Sequence, residues 1–200
     1  GVLLQLPLPQ QLDTVKALSR IAPIKDVDGL TPENAGLLLR GDDSGMKPCT
    51  PLGIMRLLKA YGVDVKGTNA VVLGRSQLVG HPLAEMFTQA GATVTTCHKK
   101  TENLAHYTKQ ADVLAVATGN PALVTGDMLK PGAVVIDVGT NRLENNDVVG
   151  DCDETTCRTT ASLLTPVPGG VGPMTVATLL TNTIDACCRQ HELPLVAWAV

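Results

Sequence analysis

Two hundred residues, 44% of them hydrophobic, can fill one large or two small domains around an ample core. A net charge of −3 argues against nucleic acid or an anionic membrane as the main partner, and no apolar run approaches the roughly 18 residues of a membrane helix. Aromatics make up only 2%, so the core has to come from Val, Leu, Ile and Ala, as in parallel sheets covered by helices.

In chain order, residues 1–6 read as a buried opening strand stopped by Pro7 and Pro9. No methionine or targeting segment stands ahead of Gly1, and a further upstream segment is expected. Residues 13–21 read as a short amphipathic helix with Val15, Leu18 and Ile21 on one side, ended by Pro23; a charged turn at 25–29 follows. Two helices then start alike. Thr31 caps one, with Pro32 first and Gly41 as its stop; Thr50 caps the other, with Pro51 first and Gly62 closing it. The polar loop 42–49 between them is expected to be mobile.

From Asn69 strands and helices alternate. Strands are expected at 70–73, 93–97, 112–117 and 133–138, with helices at 79–89 and 102–110 and a helical turn at 125–130 between them. Val148 and Val149 form a small extension, residues 154–161 a short helix, and Leu163 and Leu164 a last strand. This spacing predicts an α/β fold, a Rossmann-like parallel sheet wound right-handed with ligands at the strands' carboxyl ends. The longest helix, 174–189, carries an apolar stripe of Val176, Leu179, Leu180, Ile184 and Cys187. The apolar tail after Pro194, with Trp198, has no assignment.

The six cysteines show no C-x-x-C spacing, and the four histidines are scattered; the cysteines read as reduced thiols of an intracellular protein, with no metal site.

The predicted strand ends carry polar, glycine-bearing loops: Gly74-Arg75-Ser76, His98-Lys99-Lys100, Thr118-Gly119-Asn120 and Gly139-Thr140-Asn141. One such loop per strand on one rim is what a dinucleotide crevice requires. Strand, glycine turn and helix at 70–89 aim free N–H groups at a phosphate, although Gly74 and Gly80 do not make the G-x-G-x-x-G fingerprint. An NAD site places a carboxylate at the end of the second strand to bind the ribose 2′-hydroxyl. Here Lys99 and Lys100 stand there, with Arg75 facing them, which favours a 2′-phosphate and therefore NADP; the alternative is a merely solvated loop. The segment TPVPGGVGPMT (165–175) combines fixed and side-chain-free backbone directly before a long helix, either to let a flat ring lie against main chain or as a rigid turn. Gln5 and Asp28 are ordinary turn residues taken alone, but a carboxylate such as Asp28 can accept two parallel N–H bonds from an amidine-like ring edge such as a pterin's.

Together GVLLQLPLP (1–9), KDVDGLTPENAG (25–36), PCTPLGI (48–54), VVLGRSQLVGHP (71–82) and TPVPGGVGPMT (165–175) resemble the methylenetetrahydrofolate dehydrogenase/cyclohydrolase family, in its order and spacing, up to about Gln190. The resemblance implies NADP-dependent oxidation of 5,10-methylenetetrahydrofolate to the 5,10-methenyl form and its hydrolysis to 10-formyltetrahydrofolate, in one-carbon metabolism serving purine biosynthesis. It implies that Leu4, Gln5, Leu6, Asp28, Pro168, Gly169, Gly170, Val171 and Gly172 meet the folate, with Gln5 assisting near the reacting carbon. Thr50, Gly74, Arg75, Ser76, Lys99, Thr140 and Thr175 would meet the dinucleotide. It divides the chain into residues 1–49, a remnant of an incomplete α/β folate domain closed by helix 174–190, and a Rossmann-like domain at 50–173, leaving 191–200 unassigned.

The sequence departs from the family pattern in three places. The family's first segment, which carries a tyrosine and the lysine of the hydrolysis, is not matched here, and Lys25 does not stand in for that lysine. Lys99 sits where relatives have serine or arginine, and Thr140 replaces an isoleucine beside the nicotinamide. By the same resemblance a homodimer is expected, with a cytoplasmic location favoured over a mitochondrial one. The competing readings are a catalytically silent NADP-binding or dimerisation fragment and a shikimate-dehydrogenase-like oxidoreductase.

Overall fold

A computed structural model of the chain describes residues 1–198. Its centre is a five-stranded parallel sheet in the order β2-β1-β3-β4-β7: β1 (Asn69–Leu73), β2 (Thr93–Cys97), β3 (Val113–Val116), β4 (Val134–Asp137) and β7 (Leu163–Leu164). The pairs Leu73↔Cys97 and Leu73↔Val116 fix the register of the first three strands. A separate antiparallel pair, β5 (Asn141–Arg142) with β6 (Val148–Val149), is the small extension.

Strand alternation divides the core. Ala70, Val72, Val113, Ala115 and Ile136 face a cluster with Ile54, Leu83, Phe87 and Val171, from the helices α3 (Cys49–Ala60), α4 (Gly80–Gln89) and α7 (Val171–Gln190). Val71, Leu73, Leu114, Val116 and Val135 face the opposite cluster, with Leu104 of α5 (Leu104–Thr108) and Cys157 of α6 (Glu154–Thr160). Both faces are covered, so the strands are apolar on both sides. Phe87, the one phenylalanine, is wholly buried, worth about 3 kcal/mol relative to exposure.

Residues ahead of the sheet depart most from expectation. No opening strand forms at 1–6: Val2 alone makes a parallel bridge, to Asp26, while Val2 and Leu3 stay exposed. The helix expected at 13–21 is one short piece, α1 (Thr14–Leu18), capped by Asp13, with Val15 exposed. The helix capped by Thr31 is α2 (Pro32–Leu39), and Gly41 follows it at φ +67°, as expected. Thr50, however, is no cap: α3 starts at Cys49 after Pro48, and Thr50 lies inside its first turn. The loop expected to be mobile is pinned at its far end, where Met46 is buried and its N–H donates to the Asn34 carbonyl oxygen Oδ1 at 3.1 Å.

Helix α7 starts at Val171, and its buried face is not the apolar stripe. Val176, Leu180, Ile184 and Cys187 are exposed, whereas Thr178, Asn182 and Ala186 are buried. The polar members of that face have partners. Arg56 Nη1 donates to the hydroxyls of Thr178 (3.3 Å) and Thr181 (2.7 Å). Asn182 Nδ2 donates to the carbonyls of Val27 and Lys47, each at 3.0 Å. A buried polar group held this way is not costly, and its small size lets α7 sit close on α3. After α7 the tail turns back, with the Trp198 indole N–H donating to Asp185 at 3.1 Å; the last two residues of the unassigned tail lie outside the described residues.

Candidate functional site

In the sheet order, β1 is followed in the chain by a strand on one side and then by strands on the other, so the winding reverses between β1 and β3. That point opens a crevice at the carboxyl ends. At its floor Gly74 has φ +115°, and a Cβ there would run into the Ala117 carbonyl oxygen. A Cβ at Gly80 would strike the Gly74 carbonyl. Both glycines are needed for the strand end, the helix start and the neighbouring loop to meet.

The helix start differs from expectation in one respect. The Ser76 hydroxyl accepts the N–H groups of Val79 (3.1 Å) and Gly80 (3.4 Å), and its carbonyl takes that of His81, so α4 is capped internally. The N–H groups left without a partner among the described residues belong to the turn itself, Arg75 to Leu78. The Ser76 hydroxyl keeps its proton to donate outward.

Beside this turn lies the end of β2, where Gly74 N–H donates to the Cys97 carbonyl at 2.8 Å. The register therefore sets the Arg75 turn against the loop that carries Lys99. Both side chains are exposed and form no ion pair among the described residues. His98 anchors the loop: its N–H donates to Thr101 Oγ1 at 2.9 Å and its ring Nδ1 accepts the Lys100 N–H at 3.2 Å.

Two buried carboxylates organise the other half of the rim, and sequence reasoning missed both. Asp151 Oδ2 accepts the N–H groups of Thr118 (2.6 Å) and Gly119 (2.9 Å) and the Thr118 hydroxyl (3.0 Å); its Oδ1 accepts Asn141 Nδ2 at 2.8 Å. Asp137, the last residue of β4, accepts the N–H groups of Gly139, Asp151 and Cys152 at 2.8–2.9 Å. Burial pushes the Asp137 carboxyl above the usual carboxylate range, opposed by those three donors. The available signal was an acid closing an apolar strand, followed by glycine, and a second acid directly after Gly150. Thr140 is exposed on this side of the rim.

The 165–172 segment leaves the same end of the sheet from β7. Thr165 ties it down, accepting the Asp137 N–H at 2.8 Å. Gly170 has no room for a Cβ against the Pro166 carbonyl, whereas Gly169, at φ +107°, and Gly172 face open space. Pro168, Gly169 and Gly172 are exposed, but the Val171 side chain is buried in the core, so only its backbone is available to a ligand. The start of α7 meets the start of α3 where Thr50 Oγ1 and Thr175 Oγ1 lie 3.0 Å apart.

Asp28 sits beside Cys49, next to Thr50. Burial raises its carboxyl above the usual range, helped by Asp26 and opposed by the Cys49 hydrogen bond. Its turn is rigid: Gly29, at φ +66°, packs on the Lys47–Pro48 backbone, and buried Asp26 accepts the Thr31 N–H and Asn34 Nδ2 at 2.7 and 2.9 Å. Leu4, Gln5 and Leu6 follow the Val2–Asp26 bridge. Gln5 is exposed, and its side-chain amide donates to Leu6 O at 3.1 Å, its one hydrogen bond among the described residues.

Gly74, Arg75, Ser76, Lys99 and Thr140 thus stand in loops at the carboxyl ends of the strands, Thr50, Thr175 and Asp28 gather near the starts of α3 and α7, and the 168–172 backbone runs from β7 into α7. The tetrahydrofolate dehydrogenase/cyclohydrolase NAD(P)-binding domain matches residues 48–191. The chain belongs to that family. It is 56% identical to the bifunctional protein FolD of Campylobacter curvus over 98% of this chain and 68% of that one. The crystal structure of the Campylobacter jejuni FolD methylenetetrahydrofolate dehydrogenase/cyclohydrolase matches with a TM-score of 0.91 at 50% identity, over 93% of this chain and 66% of that one. The Trypanosoma brucei FolD, solved with NADP and an inhibitor, matches with a TM-score of 0.89 at 41% identity, over 94% of this chain and 66% of that one. The chain spans about two thirds of the length of the curated relatives it matches. The family resemblance read from the five motifs and the Rossmann-like fold are borne out.

Proposed function

We propose that this chain takes part in the NADP-dependent oxidation of 5,10-methylenetetrahydrofolate to 5,10-methenyltetrahydrofolate. The supporting observation is the shared carboxyl end of the sheet, where the Arg75–Lys99 rim and the 165–172 segment leave parallel strands of one register. Its relatives' names and the NADP in the trypanosomal structure point the same way.

The residues fit NADP. Free N–H groups at residues 75–78 and the Ser76 hydroxyl suit the pyrophosphate, above a glycine floor that admits no Cβ. Arg75 and Lys99 suit a 2′-phosphate and would be indifferent to a 2′-hydroxyl. Bound there, NADP supplies the hydride acceptor. The chain's own work is positioning: Asp28 takes the N–H edge of the pterin, and the backbone at Pro168, Gly169, Gly170 and Gly172 lies along the folate. Hydride transfer needs no protein acid or base, whereas the hydrolysis to 10-formyltetrahydrofolate needs a proton-managing group.

The hydrolysis is proposed together with the family's first segment, to which the resemblance assigns the lysine, and residues 1–200 by themselves are read as binding NADP better than they catalyse either reaction. Residues 50–173 form the cofactor half in this reading, and pairing of two chains through that half is proposed with it. Separate assays of the 200-residue chain decide the matter: NADP-dependent oxidation of methylenetetrahydrofolate, followed by absorbance of the reduced cofactor, and hydrolysis of the methenyl form. Oxidation with little hydrolysis supports the proposal, NADP binding with neither reaction supports a silent binding fragment, and robust hydrolysis contradicts the assignment of that step to the family's first segment.

A further inference from the structure

The two buried carboxylates belong to no element of the dinucleotide contact set, yet they determine the shape of half the rim. They interlock through glycine. A Cβ at Gly139 would collide with the Asp151 carboxylate, and one at Gly150 with that of Asp137. Asp137 holds the Asp151 and Cys152 N–H groups, which fixes the strand turn that presents Asp151. Asp151, wholly buried, then gathers the β3 loop through Thr118 and Gly119 and the β4 loop through Asn141.

This arrangement has a consequence for the ligand. The N–H groups of Thr118 and Gly119 are consumed by a carboxylate, so they have no capacity left for a phosphate, and a negative charge lies directly beneath them. On the other side of the switch point, at residues 75–78, four successive N–H groups are without a partner among the described residues. A dinucleotide spans such a crevice with one nucleotide on each half. Arg75 and Lys99 place the adenosine phosphates over β1 and β2, which leaves the nicotinamide end, without a phosphate monoester and cationic in NADP+, over the loops that Asp151 holds.

We propose that Asp151 is a positioning residue for the nicotinamide half of the dinucleotide, acting through the Thr118–Gly119 backbone and the Asn141 side chain without touching the ligand. The inference rests on the proposed NADP reading. Calorimetric titration of the 200-residue chain tests it, with NADP+ and with adenosine 2′,5′-bisphosphate, which carries the adenosine phosphates but no nicotinamide end. Asp151→Asn raises the Kd for NADP+ about tenfold or more, the loss of roughly one charge-assisted hydrogen bond, while the bisphosphate changes less than about twofold. Thr118→Val, which removes one donor from the same carboxylate, shifts NADP+ alone by about threefold and keeps the test open if Asp151→Asn does not fold by circular dichroism. Equal weakening of both probes, or of neither, overturns the role of Asp151. Failure of the wild-type chain to take up either probe instead overturns the NADP reading and this inference with it.

Discussion

The hydroxyls of Thr50 and Thr175 lie 3.0 Å apart, joining the first turns of α3 and α7 across 125 residues of sequence. Thr50→Val and Thr175→Val should each cost about 1 kcal/mol of stability in urea unfolding, and the double variant less than the sum, because each single change already removes the shared hydrogen bond. Strict additivity would mean that the two hydroxyls do not work as a pair.

Glycines with positive φ in this site are not equivalent. Gly74 is both left-handed and crowded by the Ala117 carbonyl, whereas Gly169 is left-handed in open space. Gly74→Ala should therefore cost about 3 kcal/mol and abolish dinucleotide uptake, while Gly169→Ala costs about 1 kcal/mol and leaves that uptake intact. Thermal unfolding with a dinucleotide titration on each variant checks both halves.

Much of this was legible in the sequence for identifiable reasons. Val71, Val72, Leu114 and Val135 are buried on both faces of the sheet, so their runs read as strands directly. The strand-end glycines and basic residues announced the rim. What hid was the polar interior. Thr178 and Asn182 look like surface residues of α7, and only their partners, Arg56 and the Val27 and Lys47 carbonyls, make them core. Asp137 and Asp151 were hidden in the same way, since their donors come from backbone that no side-chain pattern reports. The segment at 1–6 read as a strand because its residues are apolar, but a strand needs a flanking partner and Val2 finds only Asp26.

Asp28 makes the cost of the site measurable. Its folded pKa is raised above the ordinary 3.8, chiefly by burial, so across that interval the native state binds more protons than the unfolded chain. Stability must fall as pH rises from 3.8 through the raised value, and the penalty is complete above it. Asp28→Asn should raise the Tm at neutral pH and leave it nearly unchanged near about pH 3, while weakening folate binding. A lower Tm at neutral pH would show that the carboxylate stabilises the fold.

The thiols give a check on packing. All six cysteines are free, and Cys187 alone is exposed. Burial, with Asp28 alongside, also pushes the Cys49 thiol far up, so it stays protonated as well as hidden. Alkylation of the folded chain should modify Cys187 rapidly and the other five only on denaturation, as read by peptide mass mapping. Early modification of Cys49 or Cys157 would show the interior to be more open than described.

The most direct measurement compares NADP+ with NAD+ on the intact chain and on the double variant Arg75→Ala with Lys99→Ala. If these two cations hold a 2′-phosphate, wild type binds NADP+ at least about tenfold more tightly than NAD+, with a preference that shrinks as salt rises, and the double variant binds the two alike. Equal affinity in the wild type, or a preference that survives loss of both cations, would contradict the account.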